Sequence, residues 1–231
     1  MEPNIYLDGE YIEKNPLYHV EDSPWKASQI LKMLARHELQ IASVCEVGCG
    51  AGEILRQLQL QMPSEVTFHG YEISPQAFDL CKQRQNERLL FYCEDLLSKE
   101  TQPFDLLLCI DVVEHVEDHM GFLRQLRHKG VHKLFHIPLD ITAQAILRGK
   151  PLVVWREELG HLHSFMKETA LLTLQETGYE IVDFFYTPGG LERIESVKQR
   201  VAKLPRRVLS TISQDFAVRA LGGYSLLVLA R

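Results

Sequence analysis

The segment Val44-Cys45-Glu46-Val47-Gly48-Cys49-Gly50-Ala51-Gly52 constrains this chain more than any other. An apolar run leads into three glycines, and a helical pattern follows. Glycines at a strand end let the backbone turn tightly and let a ligand approach to contact distance. The strand–loop–helix setting is what separates such a loop from an ordinary glycine turn. The rhythm around it agrees. Spacing predicts strands over residues 41–47, 66–73, 89–93, 104–110 and 131–137, with helices over 53–61, 75–84 and 119–128. Strands alternating with short helices imply βαβ units and a mostly parallel sheet with right-handed crossovers.

At the N-terminal side, Ser23-Pro24 offers an N-cap and a first-turn proline to a helix over residues 25–39. Residues 1–40 are therefore read as a helical cap segment and 41–231 as one domain with inserts at about 139–165 and 188–222. Beyond the first insert a helix is expected over 167–176, ended by Gly178. Strands over 179–186 and 224–230 close the pattern, and residues 191–203 are expected to be helical.

Charge and cysteines narrow the setting. The formal net charge of -6 lacks the basic footprint that nucleic-acid binding leaves, apart from a small patch at Lys203, Arg206 and Arg207. The first residues carry acids and no apolar run, so no signal peptide is expected. No apolar stretch approaches the roughly 20 residues a membrane span needs. Five scattered cysteines imply a reducing compartment and cytoplasmic location. Cys45 and Cys49 have no second pair beside them, which speaks against zinc there.

The ligand of the glycine loop follows from its charges. A dinucleotide loop would have a third glycine at position 53, where this chain has Glu53. A carboxylate in the first helical turn competes with a pyrophosphate for the helix N-terminus. S-adenosylmethionine has no phosphate and carries a sulfonium, so Glu46 and Asp111 would supply it a matching field. In Gly70-Tyr71-Glu72-Ile73-Ser74-Pro75, Glu72 stands where an acid accepts hydrogen bonds from a ribose diol, with Ile73 along the adenine. Glu94-Asp95-Leu96 offers Asp95 to the adenine amino group.

Through E-V-G-C-G-A-G, Y-E-I-S, C-E-D-L and F-D-L-L-L-C-I-D-V-V-E-H-V, in that order over about residues 41–186, the chain resembles the class I methyltransferase family. The resemblance implies an α/β, Rossmann-like, doubly wound sheet of seven mostly parallel strands with the last antiparallel. An N-terminal helical cap and small helical inserts would complete it. It implies methyl transfer from S-adenosylmethionine, and a cofactor-binding set of Glu46, Gly48, Cys49, Gly50, Gly52, Glu72, Ile73, Asp95, Leu96, Asp111 and Val112. Trp25 and Lys26 fall where such enzymes often have a helix closing over the cofactor.

Asp111-Val112-Val113-Glu114-His115 follows the fourth strand, in the crevice where open α/β sheets bind ligands. The sulfonium is already activated, so the protein must position an acceptor and, for a hydroxyl, remove its proton. His115 is the candidate base and Glu114 its orienting or acceptor-binding partner. In Gly160-His161-Leu162-His163, an extended backbone would put both imidazoles on one side. That pattern is similar to the metal-assisted subset of the superfamily, including small-RNA 2′-O-methyltransferases and quinone-ring O-methyltransferases. There Glu114, His115, His161 and His163 would be the residues to hold a divalent ion. The expectation is instead a metal-free site, the H-x-H pair lining the acceptor pocket. Asp111 also stands where the small-RNA enzymes carry a longer acid. The expected reaction is O-methylation of a small molecule. The alternatives are a metal-assisted RNA 2′-O-methyltransferase and a non-catalytic S-adenosylmethionine-binding module. A nicotinamide oxidoreductase is disfavoured by Glu53.

Overall fold

The computed structural model describes residues 15, 20–188 and 209–231. Its strands are β1 (Ser43–Val47), β2 (Thr67–Tyr71), β3 (Leu89–Tyr92), β4 (Phe104–Ile110), β5 (Gly130–Pro138), β6 (Ile181–Thr187) and β7 (Ser225–Ala230). They form one sheet in the order β3-β2-β1-β4-β5-β7-β6, with β7 antiparallel to both neighbours and the other pairings parallel. The helices are α1 (Ser23–Leu34), α2 (Glu53–Gln59), α3 (Pro75–Cys81), α4 (His119–Leu126), α5 (Ala143–Arg148), α6 (Lys150–Val154), α7 (Lys167–Glu176) and α8 (Gln214–Leu221).

Both sheet faces are covered, which is why the central strands read as unbroken apolar runs rather than alternating ones. Cys45, Leu107, Cys109, Phe135 and Val228 pack on one face with Leu123 and Leu126 of α4 and Ala170 and Leu174 of α7. Val44, Leu106, Leu108, Leu134, Leu227 and Leu229 pack on the other with Ala27, Ile30 and Met33 of α1 and Leu55 and Leu58 of α2. Each fully buried leucine contributes on the order of 1.5–3 kcal/mol, so a polar replacement at Leu107 strikes the centre of the core.

Two local readings differ from the structure. Helix α1 begins at Ser23 itself, after a short turn at Val20–Asp22, and its N-cap Asp22 makes no side-chain capping bond. It stops at Leu34 because Arg36 and His37 N–H groups reach back only three residues, to the Met33 and Leu34 carbonyls. The side chains of Arg36 and His37 are drawn to Asp183 of β6 instead. Helix α8 had not been anticipated, although Ser213 caps it by accepting a hydrogen bond from Phe216 N–H. The expected helix over 191–203 lies outside the described residues.

Strand β1 has β2 on one side and β4 on the other, all parallel. The chain therefore winds in opposite directions from β1. The loops leaving the carboxyl ends of β1 and β4 splay apart there and open a crevice.

Candidate active site

The glycine loop is tied down before any ligand arrives. Gly48 and Cys49 N–H groups both donate to the Tyr71 carbonyl at the end of β2. Gly48 has a φ of 65°, and a side chain there would press on Val112, 2.8 Å away. Only glycine satisfies both conditions at that position. Glu72, buried at the end of β2, accepts from Gly50 N–H and Ser74 N–H at 2.8 Å, one on each carboxylate oxygen. Burial raises its pKa while these backbone donors oppose the shift. Each oxygen keeps a second lone pair for a ligand hydroxyl.

The rest of the expected cofactor set is distributed unevenly. Ile73 is exposed and Cys49 is buried. Asp95 spends one oxygen on Leu97 N–H, capping the turn Leu96–Ser98. Leu96 is wholly buried in the core, its backbone included. Glu46 is buried at the end of β1, and its Oε2 has no hydrogen-bond partner among the described residues. Burial pushes its pKa well up, against the opposing pull of Lys26.

Asp111 ends β4 with a φ of 53°, a left-handed conformation rare outside glycine. Its two oxygens are fully engaged. Oδ1 lies 2.5 Å from His136 Nδ1, and Oδ2 lies 2.7 Å from Lys26 Nζ on α1. Burial alone would raise its pKa, but His136 and Lys26 hold it far below the ordinary carboxylate range. Trp25, the other N-terminal residue singled out, packs edge-on against the His136 ring.

Beyond Asp111 the loop delivers a second cluster. Glu114 is completely buried, and neither carboxylate oxygen has a hydrogen-bond partner among the described residues. Burial, then the nearby Asp111 charge, pushes its pKa well up. His115 Nδ1 lies 3.0 Å from the Gly160 carbonyl and therefore donates to it, which makes Nε2 the acceptor nitrogen. That Nε2 is 3.8 Å from Glu114 Oε1. Burial lowers the His115 pKa to about 4. His161 joins them, its ring centroid 5.1 Å from that of His115 and its Nδ1 2.6 Å from Asp140 Oδ2. Potential ligand atoms of Glu114, His115 and His161 all lie within 4.8 Å of one another.

His163 does not share that side. Its Nε2 turns to the Val116 and Glu117 carbonyls, and its ring lies against His119. The segment is not a strand. Leu162 and His163 N–H groups both donate to the single Glu114 carbonyl, a geometry that breaks the alternation of extended chain.

Comparison with known proteins places the fold in a family. A family model described as a methyltransferase domain matches residues 19–183. The chain belongs to the class I methyltransferase family. A ubiquinone biosynthesis O-methyltransferase from Coxiella burnetii is 32% identical over 111 residues, covering 45% of this chain and 46% of the relative. The chain thus matches only about half the length of such curated relatives. Among solved structures, the magnesium protoporphyrin IX methyltransferase of Synechocystis with bound S-adenosylhomocysteine aligns with a TM-score of 0.58 at 16% identity, covering 90% of this chain and 81% of that one. The N-methyltransferase NodS of Bradyrhizobium japonicum, also with S-adenosylhomocysteine, gives 0.56 at 18%, covering 89% and 85%. At these identities the likeness is one of fold.

Sequence reading missed Asp140 and His136. Asp140 stands two residues past the end of β5, and a strand-end acid at the sheet's carboxyl edge was the signal available. His136 lay hidden in an apolar strand. Next to the cluster, a groove of about 610 Å³ is walled by Leu152, Val153, Leu162 and Arg156 and reaches His161. Glu157 and Ser164 complete a lining of mixed polar and apolar character that opens to solvent.

Proposed function

We propose that the protein transfers a methyl group from S-adenosylmethionine to a hydroxyl of a small-molecule acceptor. The cluster of buried Glu114 with partly buried His115 and His161, beside the cofactor crevice, carries this reading. In it, the backbone of residues 48–52 cradles the cofactor. Glu46 faces its cationic groups, Asp111 anchors the loop through Lys26 and His136, Glu72 takes the ribose, and Ile73 and Asp95 flank the adenine. The acceptor lies in the groove along Leu152 and Leu162, its hydroxyl directed at His115 Nε2. The net charge favours a small molecule over RNA, and the similarity to ubiquinone biosynthesis O-methyltransferases supports the same choice. Free buried cysteines and the lack of any helix long and apolar enough to cross a membrane, among the described residues, support a cytoplasmic setting.

A second reading is favoured by one observation, the Glu114 carboxylate with no partner on either oxygen. A buried acid without a hydrogen-bond partner among the described residues, beside two imidazoles, is a place where a bound cation would stabilise the carboxylate. The donor set fits a divalent transition metal held by Glu114, His115 and His161, with zinc, manganese or iron suiting mixed nitrogen and oxygen ligands. When bound there, the ion would supply Lewis acidity that eases deprotonation of an acceptor hydroxyl. His115 alone, with a pKa near 4, is a weak base for that proton.

Calorimetry with S-adenosylmethionine, S-adenosylhomocysteine and NAD tests the cofactor assignment. Binding of the first two and not of NAD is expected, and no binding of either adenosyl ligand would end the proposal. Labelled methyl transfer to hydroxylated aromatic compounds and to structured RNA, with and without chelator, then separates the two readings. Transfer to RNA alone would overturn the small-molecule assignment.

A further inference from the structure

Asp140 is buried at the carboxyl edge of the sheet, and its Oδ2 lies 2.6 Å from His161 Nδ1. The contact joins two distant pieces of chain, the exit of β5 and the residue after Gly160. His161 has no regular secondary structure to fix its ring. It follows a left-handed Gly160, φ 77°, at the end of the helical turn Trp155–Leu159, and its backbone N–H is held only by the Trp155 carbonyl. A side chain in such a segment points where a side-chain partner holds it.

The two imidazoles of the cluster are held by different acceptors. His115 Nδ1 donates to a neutral carbonyl, that of Gly160, whereas His161 Nδ1 faces a carboxylate. A carboxylate on Nδ1 fixes the tautomer with Nε2 as the open nitrogen and raises the ring's donor strength toward a cation. We propose that Asp140 is a positioning residue, which aims His161 Nε2 at the Glu114 carboxylate and thereby completes a three-residue face for a divalent cation. The inference rests on the metal reading above. Asp140 itself does not touch the ion or the acceptor. Its effect passes through His161 alone.

The test uses the full chain stripped with EDTA and titrated with cobalt(II), whose visible absorption reports ligand number and geometry. Wild type is expected to take up one cobalt. Asp140→Asn should bind it about 10- to 100-fold more weakly, the usual cost of losing such a partner, with an altered absorption band. Asp140→Glu should recover part of the affinity. The decisive comparison is a double-mutant cycle. In a His161→Ala background, Asp140→Asn should change cobalt affinity no further. Equal cobalt binding by wild type and Asp140→Asn would overturn the positioning role while leaving the metal site standing. An Asp140 effect that persists without His161 would overturn it as well. No cobalt binding by wild type would remove the metal reading, and this inference with it. Should Asp140→Asn fail to fold, the Nδ1/Nε2 tautomer of His161, read by nitrogen NMR in wild type, decides the same point. A proton on Nε2 would refute it.

Discussion

Asp111 and Glu114 sit on the same short loop, and their surroundings could hardly differ more. Asp111 is gripped by a lysine from α1 and a histidine from β5, and it stays ionised. Glu114 is more deeply buried and has no hydrogen-bond partner among the described residues. The first carboxylate is neutralised by the protein's own groups and locks the loop to the sheet. The second has no such compensation among the described residues. Burial of charge is costly unless it is compensated, so an uncompensated acid marks a place where a ligand completes the structure.

The contrast makes predictions that differ in sign. Asp111→Ala strands Lys26 and His136 and should cost about 3 kcal/mol of stability, the low end for a broken buried pair because Asp111 keeps some exposure. A denaturant midpoint close to wild type would mean that the network contributes nothing. Next in size, His115→Ala should lower turnover by about 10²-fold or more with S-adenosylmethionine affinity unchanged, measured by labelled methyl transfer and calorimetry. Unaltered turnover would remove His115 from the chemistry.

Acid should weaken the chelator-treated protein through the same corner. The His115 ring stays neutral in the folded state down to about pH 4, but in the unfolded chain it protonates near 6.5. Stability is therefore intact above 6.5 and falls as the pH drops toward 4, by roughly 1–2 kcal/mol between pH 7 and 5. His115→Gln should flatten that slope in urea titrations, and an unchanged slope would assign it to other groups. The smallest effect belongs to Glu114→Gln. Replacing an uncompensated acid by an amide should shift stability by less than about 1 kcal/mol, or raise it, even as activity is lost. A fall of several kcal/mol would show that Glu114 is already paired in the folded chain and would erase the contrast with Asp111.

The loops after β1 and β2 were readable because their residues are close in sequence and their requirements are local. Glycines at a strand end, an acid at the next strand end and an apolar β4 each leave a pattern in a few consecutive letters. The acceptor side was half readable. Glu114 and His115 stood out on the loop after β4, whereas the parting of His161 from His163 depends on two N–H groups sharing one carbonyl across the molecule. Nothing in the letters G-H-L-H encodes that. Likewise Lys26 was noticed only for its place before β1. Its ion pair to Asp111 joins elements that only the folded sheet brings together.

The stitching of residues 160–163 onto Glu114 and His115 has a consequence for how this enzyme diversifies. The stretch that walls the acceptor groove also carries His161 and supplies the carbonyl that orients His115. Under the proposed function, selectivity and catalytic competence would be inherited together. A chimera that trades the groove walls with a homologue's must carry residues 152–163 as one cassette, together with the acid at 140. A graft that stops short at Leu159 would exchange one acceptor preference for none.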